Sequence, residues 1–261
     1  MTPDQASTAE ALLFDTWTEG RTLPALPDAL RPATRTEGYA IQALLEQRSH
    51  APLYGWKIAA TSVAGQRHIG VDGPLAGRIL AERVFPDGGT VPWGANRMAV
   101  AEVEFAFRMG QDLPPRRAPY SVDEVLTAVA TLHPAIEIPD SRYEDFVTAG
   151  APQLIADNAC AAYFVCGPAT TADWRGLDLS RHAATGHVEG RYTRAGIGAN
   201  VLGDPRLALT WLANELSTLG LTLKAGQTVT TGTCLVPLEV QPGDAVTGDF
   251  GALGQVSMRF G

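Results

Sequence analysis

Cysteine is scarce in this chain: Cys160, Cys166 and Cys234 are the three among 261 residues, odd in number and with no Cys-x-x-Cys pair. That excludes a disulfide framework and a structural zinc site, and leaves buried free thiols as the default. Basic charge is also in deficit. Twenty Lys and Arg stand against 28 Asp and Glu, a formal net charge of -8 with no basic stripe. This argues against a nucleic-acid partner and for a cation or a small molecule. No apolar run approaches the length of a membrane span, and Met1-Thr2-Pro3-Asp4-Gln5 does not begin a basic segment followed by an apolar one. The expectation is a cytoplasmic protein with no membrane partner. Nucleotide and hydrolase signatures are missing too. In Gly196-Ile197-Gly198-Ala199-Asn200-Val201 a valine stands where G-x-G-x-x-G needs glycine, and there is no Walker loop, nucleophile elbow or H-E-x-x-H. The five histidines, at 50, 68, 133, 182 and 187, share no ligand spacing.

What is present fits a globular protein, with 45% hydrophobic and 18% charged residues and enough length for a substantial core. Apolar positions in about Thr8 to Trp17 and about Thr36 to Arg48 predict two amphipathic helices joined by a proline-rich link, a helical lobe over residues 1–52. From 53 to 261 short apolar runs split by glycine and proline predict a β-rich domain: Tyr54 to Ala60, Gly77 to Leu80, Met98 to Phe107, Ala135 to Ile138, Thr228 to Thr231, Leu235 to Val240, Ala245 to Phe250 and Val256 to Phe260. Two helices interrupt it. One opens on the capping box Ser121-Val122-Asp123-Glu124, with Val125, Val129 and Leu132 on a shared face. The other opens on Asp204-Pro205, buries Leu209, Leu212, Leu216 and Leu219, and stops at Gly220.

The chemistry concentrates in Val100-Ala101-Glu102-Val103-Glu104-Phe105-Ala106-Phe107. In a strand Glu102 and Glu104 share one face while Ala101, Val103, Phe105 and Phe107 share the other. Either this is the wet side of a half-buried antiparallel strand, or the two acids are held together by a hard cation such as Mg2+, Mn2+ or Ca2+. Glu137, between Ile136 and Ile138, is a third acid in an apolar run, on an exposed edge or turned inward to a partner. Three converging carboxylates would give an oxygen set for an octahedral ion with positions left open. Lys57, in Gly55-Trp56-Lys57-Ile58-Ala59, is the matching base, or else a surface lysine with an apolar stem. Asp157-Asn158 reads as a polar turn or as a pocket pair. Arg142 reads as a structural ion pair or as a partner for a second substrate carboxylate.

Read in order, these blocks carry a resemblance: Gly55-Trp56-Lys57-Ile58 with Thr61-Ser62, Glu102-x-Glu104, Glu137-Ile138 with Asp140-Ser141-Arg142, Ala156-Asp157-Asn158-Ala159, Val201-Leu202-Gly203 with Trp211-Leu212-Ala213-Asn214, Leu223-Lys224-Ala225-Gly226, and Thr231-Gly232-Thr233. Together they resemble the fumarylacetoacetate hydrolase superfamily, in the branch of 2-keto-4-pentenoate (2-hydroxypenta-2,4-dienoate) hydratases and 4-oxalocrotonate decarboxylases of aromatic catabolism. The resemblance implies an α+β fold, a mixed β-roll with a helical amino-terminal lobe, assembled as a homo-oligomer. It implies Mg2+ or Mn2+ on Glu102, Glu104 and Glu137, acid/base work at Lys57, and contact with a small-molecule 2-keto or 2-enol acid at Thr233, with Asp157 and Asn158 as further substrate-binding candidates. The chain departs from the branch at Asp72-Gly73-Pro74-Leu75-Ala76-Gly77, where hydratases usually carry an acid and an aromatic in place of Leu75 and Ala76. Ala59 and Cys160 replace a usual glycine and serine. Hydration is the first expectation. Decarboxylation of a 2-keto diacid, hydrolysis of an acylpyruvate and an inactive keto-acid-binding homologue are the alternatives.

Overall fold

The computed structural model describes residues 1–261. Its front end is helical, as expected. Thr2 and Gln5 form a capping box that starts α1 (Pro3–Thr18), and α2 (Arg35–Ala43) runs on into a 3-10 turn, Leu44–Arg48. Ala6, Ala9, Leu13, Leu26 and Ile41 make a small apolar cluster that is closed by Tyr143 and Ala156 from far along the chain. Gln42 of α2 fastens the contact by donating to the carbonyls of Ala76 (2.8 Å) and Ile155 (2.9 Å).

Thirteen strands follow: β1 (Gly55–Ala59), β2 (Leu75–Ile79), β3 (Val84–Pro86), β4 (Gly89–Val91), β5 (Val100–Met109), β6 (Val129–Ile138), β7 (Tyr163–Cys166), β8 (Ala183–Val188), β9 (Tyr192–Ile197), β10 (Thr228–Thr233), β11 (Leu238–Glu239), β12 (Ala245–Asp249) and β13 (Gln255–Phe260). Four helices lie among them, α3 (Val63–His68), α4 (Val122–Ala128), α5 (Ala151–Ala156) and α6 (Pro205–Thr218). The larger sheet runs β2-β1-β10-β5-β6-β7-β3, with β11 also beside β5, and the smaller runs β4-β13-β12-β8-β9. Both are mixed. β1 pairs parallel to β10 and β13 parallel to β4, among antiparallel neighbours.

The two sheets close over the apolar face of β5. Gly186 of β8 and Gly248 of β12 come so near Val103 that a Cβ on either would lie 3.2 Å or less from its side chain, and the Phe105 ring sits 4.7 Å from that of Phe250. Burial of Val103, Phe105 and Phe107 there fixes the pleat and turns Glu102 and Glu104 to the opposite face.

The α6 expectation is met with Leu209, Leu212 and Leu216 buried, while Leu219 is half-buried at the C-cap. Asp204 caps its N-terminus, and Gly220 takes φ 73° just past its end. The helix at Ser121 is shorter than expected. It ends at Ala128, and Val129 and Leu132, expected on a helical face, instead begin β6 against β5. Apolar residues at that spacing satisfy either period, and the ten-residue partner strand decides for the extended form. No helix is long and apolar enough to cross a membrane.

Candidate active site

Glu102 and Glu137 stand directly opposite each other on the β5–β6 ladder, and Glu104 lies two residues along on the same face. One carboxylate oxygen from each falls within 4.8 Å of the others. This is no wet face: Glu104 is 0% exposed, Glu137 is buried and Glu102 half-buried. β10 supplies the grip on Glu104. Its pairing with β5 slips between Thr230 and Thr233, a bulge in which Gly232 takes φ 98°. The bulge turns the Gly232 N–H to Glu104 Oε2 at 2.8 Å, and the Thr230 hydroxyl donates to the same oxygen. A side chain on Gly232 would collide with Thr61, so only glycine allows this approach.

Lys57 comes from β1, next to β10. It is 2% exposed, its Nζ donates to the Ala159 carbonyl at 2.9 Å, and it forms an ion pair with Glu137 Oε1 at 2.9 Å without hydrogen-bonding to it. Burial by itself lowers the Lys57 ammonium, but the charges of Glu137 and Glu102 outweigh it and hold the group above its ordinary value. The Ala159 carbonyl is presented by three consecutive left-handed residues, Asn158, Ala159 and Cys160, at φ 53°, 50° and 62°. Such a run needs outside support. Asn158 provides it, taking the Arg78 N–H at 2.6 Å and giving to the Arg78 carbonyl at 2.9 Å, as a strand neighbour would.

Asp157 and Asn158 therefore serve the scaffold and do not line the cavity. Asp157 accepts from Ser141 Oγ at 2.7 Å and pairs with the Arg142 guanidinium, both groups buried. Of the two readings of Arg142, the structural ion pair is the one found. Leu75 and Ala76 are also buried and away from the cavity, where the Ala76 N–H meets the Tyr39 hydroxyl.

The site opens into a cavity of about 1080 Å³ whose lining includes Lys57, Glu102, Ala59, Cys160 and Thr233. The structure thus brings Glu102, Glu104, Glu137, Lys57 and Thr233 to one place. Sequence reasoning missed Thr230 and the Ala159 carbonyl. The first stands immediately before the noted Thr-Gly-Thr block, and the second left no side-chain signal.

The donor set fits a hard divalent cation. Glu104 Oε1 and both Glu137 oxygens are buried without a hydrogen-bond partner, a costly state for carboxylates. Burial pushes Glu137 up to about 7 against the pull of Lys57, and raises Glu102 and Glu104 as well, Glu104 further through the charges of its two neighbours. Three acids strained this way, with oxygens no more than 4.8 Å apart, suit one ion bound at about 2.0–2.6 Å from each.

Residues 59–260 match the family model described as fumarylacetoacetate (FAA) hydrolase, C-terminal. The chain belongs to that family. Among its relatives, the 2-keto-4-pentenoate hydratase of Paraburkholderia xenovorans (strain LB400) is 33% identical over 263 aligned positions, covering 100% of this chain and 96% of the relative. The 4-oxalocrotonate decarboxylase of Pseudomonas sp. (strain CF600) is 30% identical, covering 91% and 90%. In structure, the 4-oxalocrotonate decarboxylase from Pseudomonas putida G7, complexed with magnesium and adipate, superposes with a TM-score of 0.90 at 27% identity, covering 100% of this chain and 98% of that one. The fold shared with that structure, mixed α/β with curled sheets and helices in the N-terminal region, is the fold described above.

Proposed function

We propose that this protein is a Mg2+-dependent (or Mn2+-dependent) lyase of aromatic catabolism that acts on 2-keto or 2-hydroxydienoic acids, in the manner of a 2-keto-4-pentenoate hydratase. The observation that carries the reading is the triad of Glu102, Glu104 and Glu137, buried and short of partners, beside a protonated lysine at the floor of a cavity. Glu102, Glu104 and Glu137 would hold the ion, which when bound supplies Lewis-acid stabilisation of charge developing on the keto-acid oxygens.

The chain's own groups do the rest. Thr230 and the Gly232 N–H pin one oxygen of Glu104, so the acid keeps its rotamer whether or not the ion is bound. Lys57 gives one N–H to the Ala159 carbonyl and pairs with Glu137 by charge alone, which leaves its other N–H groups for the cavity that Lys57 lines. In hydration, the dienol gains a proton at its far carbon as its hydroxyl proton is lost, and water then adds across the conjugated double bond. Lys57 Nζ carries one of these protons. Thr233, at the cavity wall, would touch the substrate, its hydroxyl proton being already given to the Leu235 carbonyl.

Decarboxylation of a 2-keto diacid is the second reading, favoured by the likeness to the decarboxylase structure. We place the protein in the cytoplasm as a homo-oligomer, which fractionation and sedimentation velocity would check. Incubation with Mg2+ and a panel of 2-hydroxydienoates, 2-keto diacids and acylpyruvates, with products identified by NMR, separates hydration from decarboxylation and hydrolysis. Glu104→Gln is expected to abolish Mg2+-dependent binding of oxalate, a mimic of the bound keto acid. Unchanged calorimetric affinity would remove the acids from metal binding.

A further inference from the structure

The cavity is large for a five-carbon acid. At about 1080 Å³ it reaches the top of the range for drug-sized pockets, yet the permanently charged groups that line it are Lys57 and Glu102, with no arginine, and its one imidazole is the exposed His68, 6.1 Å from the Phe146 ring. Lys57 is already balanced by Glu137. Four of the polar side chains on the wall are engaged with the protein itself. Gln66 donates to the Ala60 carbonyl (3.1 Å), Asn200 to the Cys234 carbonyl (2.7 Å) and Thr233 to the Leu235 carbonyl (2.8 Å), while the Ser62 hydroxyl caps α3 through the Gly65 N–H. Most of the remaining wall is apolar, including Ile69, Met98, Phe146 and Leu235. It rises from the buried Lys57 to Val63 and Val236, 62% and 69% exposed at the mouth.

We infer that this cavity selects 2-keto or 2-enol monocarboxylic acids with a bulky uncharged tail, longer than the five carbons of pentenoate, and rejects diacids. The inference rests on the lyase reading above, in which the keto-acid end sits at Glu102 and Lys57. A second carboxylate on the tail would leave water for a wall with no permanent cation free to receive it, since Lys57 is paired with Glu137, a loss that the added contacts do not offset. An alkyl or aryl tail gains with each buried carbon, about fourfold in affinity per methylene at about 0.8 kcal/mol.

The test is calorimetric titration of the Mg2+-loaded protein with pyruvate, 2-ketohexanoate, phenylpyruvate and 2-ketoadipate. Expected are affinities at least tenfold tighter for 2-ketohexanoate and phenylpyruvate than for pyruvate, and at least tenfold weaker for 2-ketoadipate than for 2-ketohexanoate, which has the same chain length. Val63→Arg, a change on an exposed turn of α3, is expected to narrow the gap between the two six-carbon acids by bringing a cation to the mouth. Equal Mg2+-dependent affinities across the series, tighter binding of the diacid, or an unchanged gap in Val63→Arg would overturn the tail inference and leave the lyase reading standing. No Mg2+-dependent binding of any of the four would overturn both.

Discussion

Lys57 carries two duties in one side chain. It neutralises part of a buried acid cluster, and it is the one mobile proton source among the groups that line the cavity floor. Lys57→Met keeps the stem and removes the charge, which leaves Glu137 buried without its counter-ion. Breaking a buried pair from one side costs about 3–5 kcal/mol, and the lower end applies because Glu137, already pushed up to about 7, can take up a proton instead. The metal-free variant should therefore melt well below the parent by scanning calorimetry, while turnover of the Mg2+-loaded variant falls about 10²–10⁴-fold. A rate equal to the parent's would take lysine out of the chemistry. His133 shows a simpler coupling of charge to fold, away from the acids. Its Nδ1 meets the Gly167 carbonyl at 2.9 Å and its Nε2 the Thr131 hydroxyl at 2.8 Å, an arrangement for the neutral ring, and burial lowers its folded pKa below the ordinary 6.5. The unfolded chain thus binds the extra proton first, so this contribution is intact above about pH 6.5 and is lost as pH falls through the lowered value. His133→Gln should flatten part of the acid-side fall in urea midpoint, and an identical pH profile would assign that fall to other groups.

At the level of elements, β5 was legible because one rule fixes it: two acids spaced by one residue, with apolar side chains on the alternate positions, face opposite ways in any strand. The alternation could not say whether the acid face was wet. That depended on β6 and β10 flanking β5 and on the register that sets Glu137 opposite Glu102, matters of tertiary pairing that only the family resemblance anticipated. The left-handed run at Asn158-Ala159-Cys160 was illegible for another reason. It contains no glycine, and its conformation is imposed from outside by the Asn158 bridge to β2. Strands β8 and β9 escaped notice because Ala-Thr-Gly-His and Thr-Arg-Ala-Gly are weakly apolar, and the glycine at Gly186 that reads as a break is what lets β8 approach Val103. Gly77 in β2 has a similar task. A Cβ there would lie 2.5 Å from the Asn158 carbonyl and 2.9 Å from Lys57 Cγ, so Gly77→Ala must push the left-handed run and the lysine apart. The expected result is a loss of about 1–3 kcal/mol in denaturant unfolding with a lowered kcat for the folded fraction. Parent-like stability and kcat would show that β2 can yield without disturbing Lys57.

For the molecule as a whole, the acid cluster makes stability depend on the ion, and the sign of one substitution should reverse with it. Without metal, Glu102 and Glu137 face each other across the ladder as like charges, an arrangement that opposes folding. With metal, the same two groups are ligands, and anything that binds only the folded chain stabilises it by mass action, about 2.7 kcal/mol at a hundredfold excess over Kd. In a chain of 261 residues that corresponds to a rise in Tm of about 5–11 °C on adding Mg2+, reversed by chelator. Glu102→Gln removes one charge from the facing pair while keeping its shape. It should raise the melting temperature of the metal-free protein and shrink or erase the gain from Mg2+, so that variant and parent exchange rank between the two conditions. Scanning calorimetry in chelator and in excess Mg2+ reads both at once. If Glu102→Gln melts lower than the parent in chelator as well, the repulsion inferred from the ladder is already relieved within the protein, and the case for an ion at these three carboxylates loses its energetic ground.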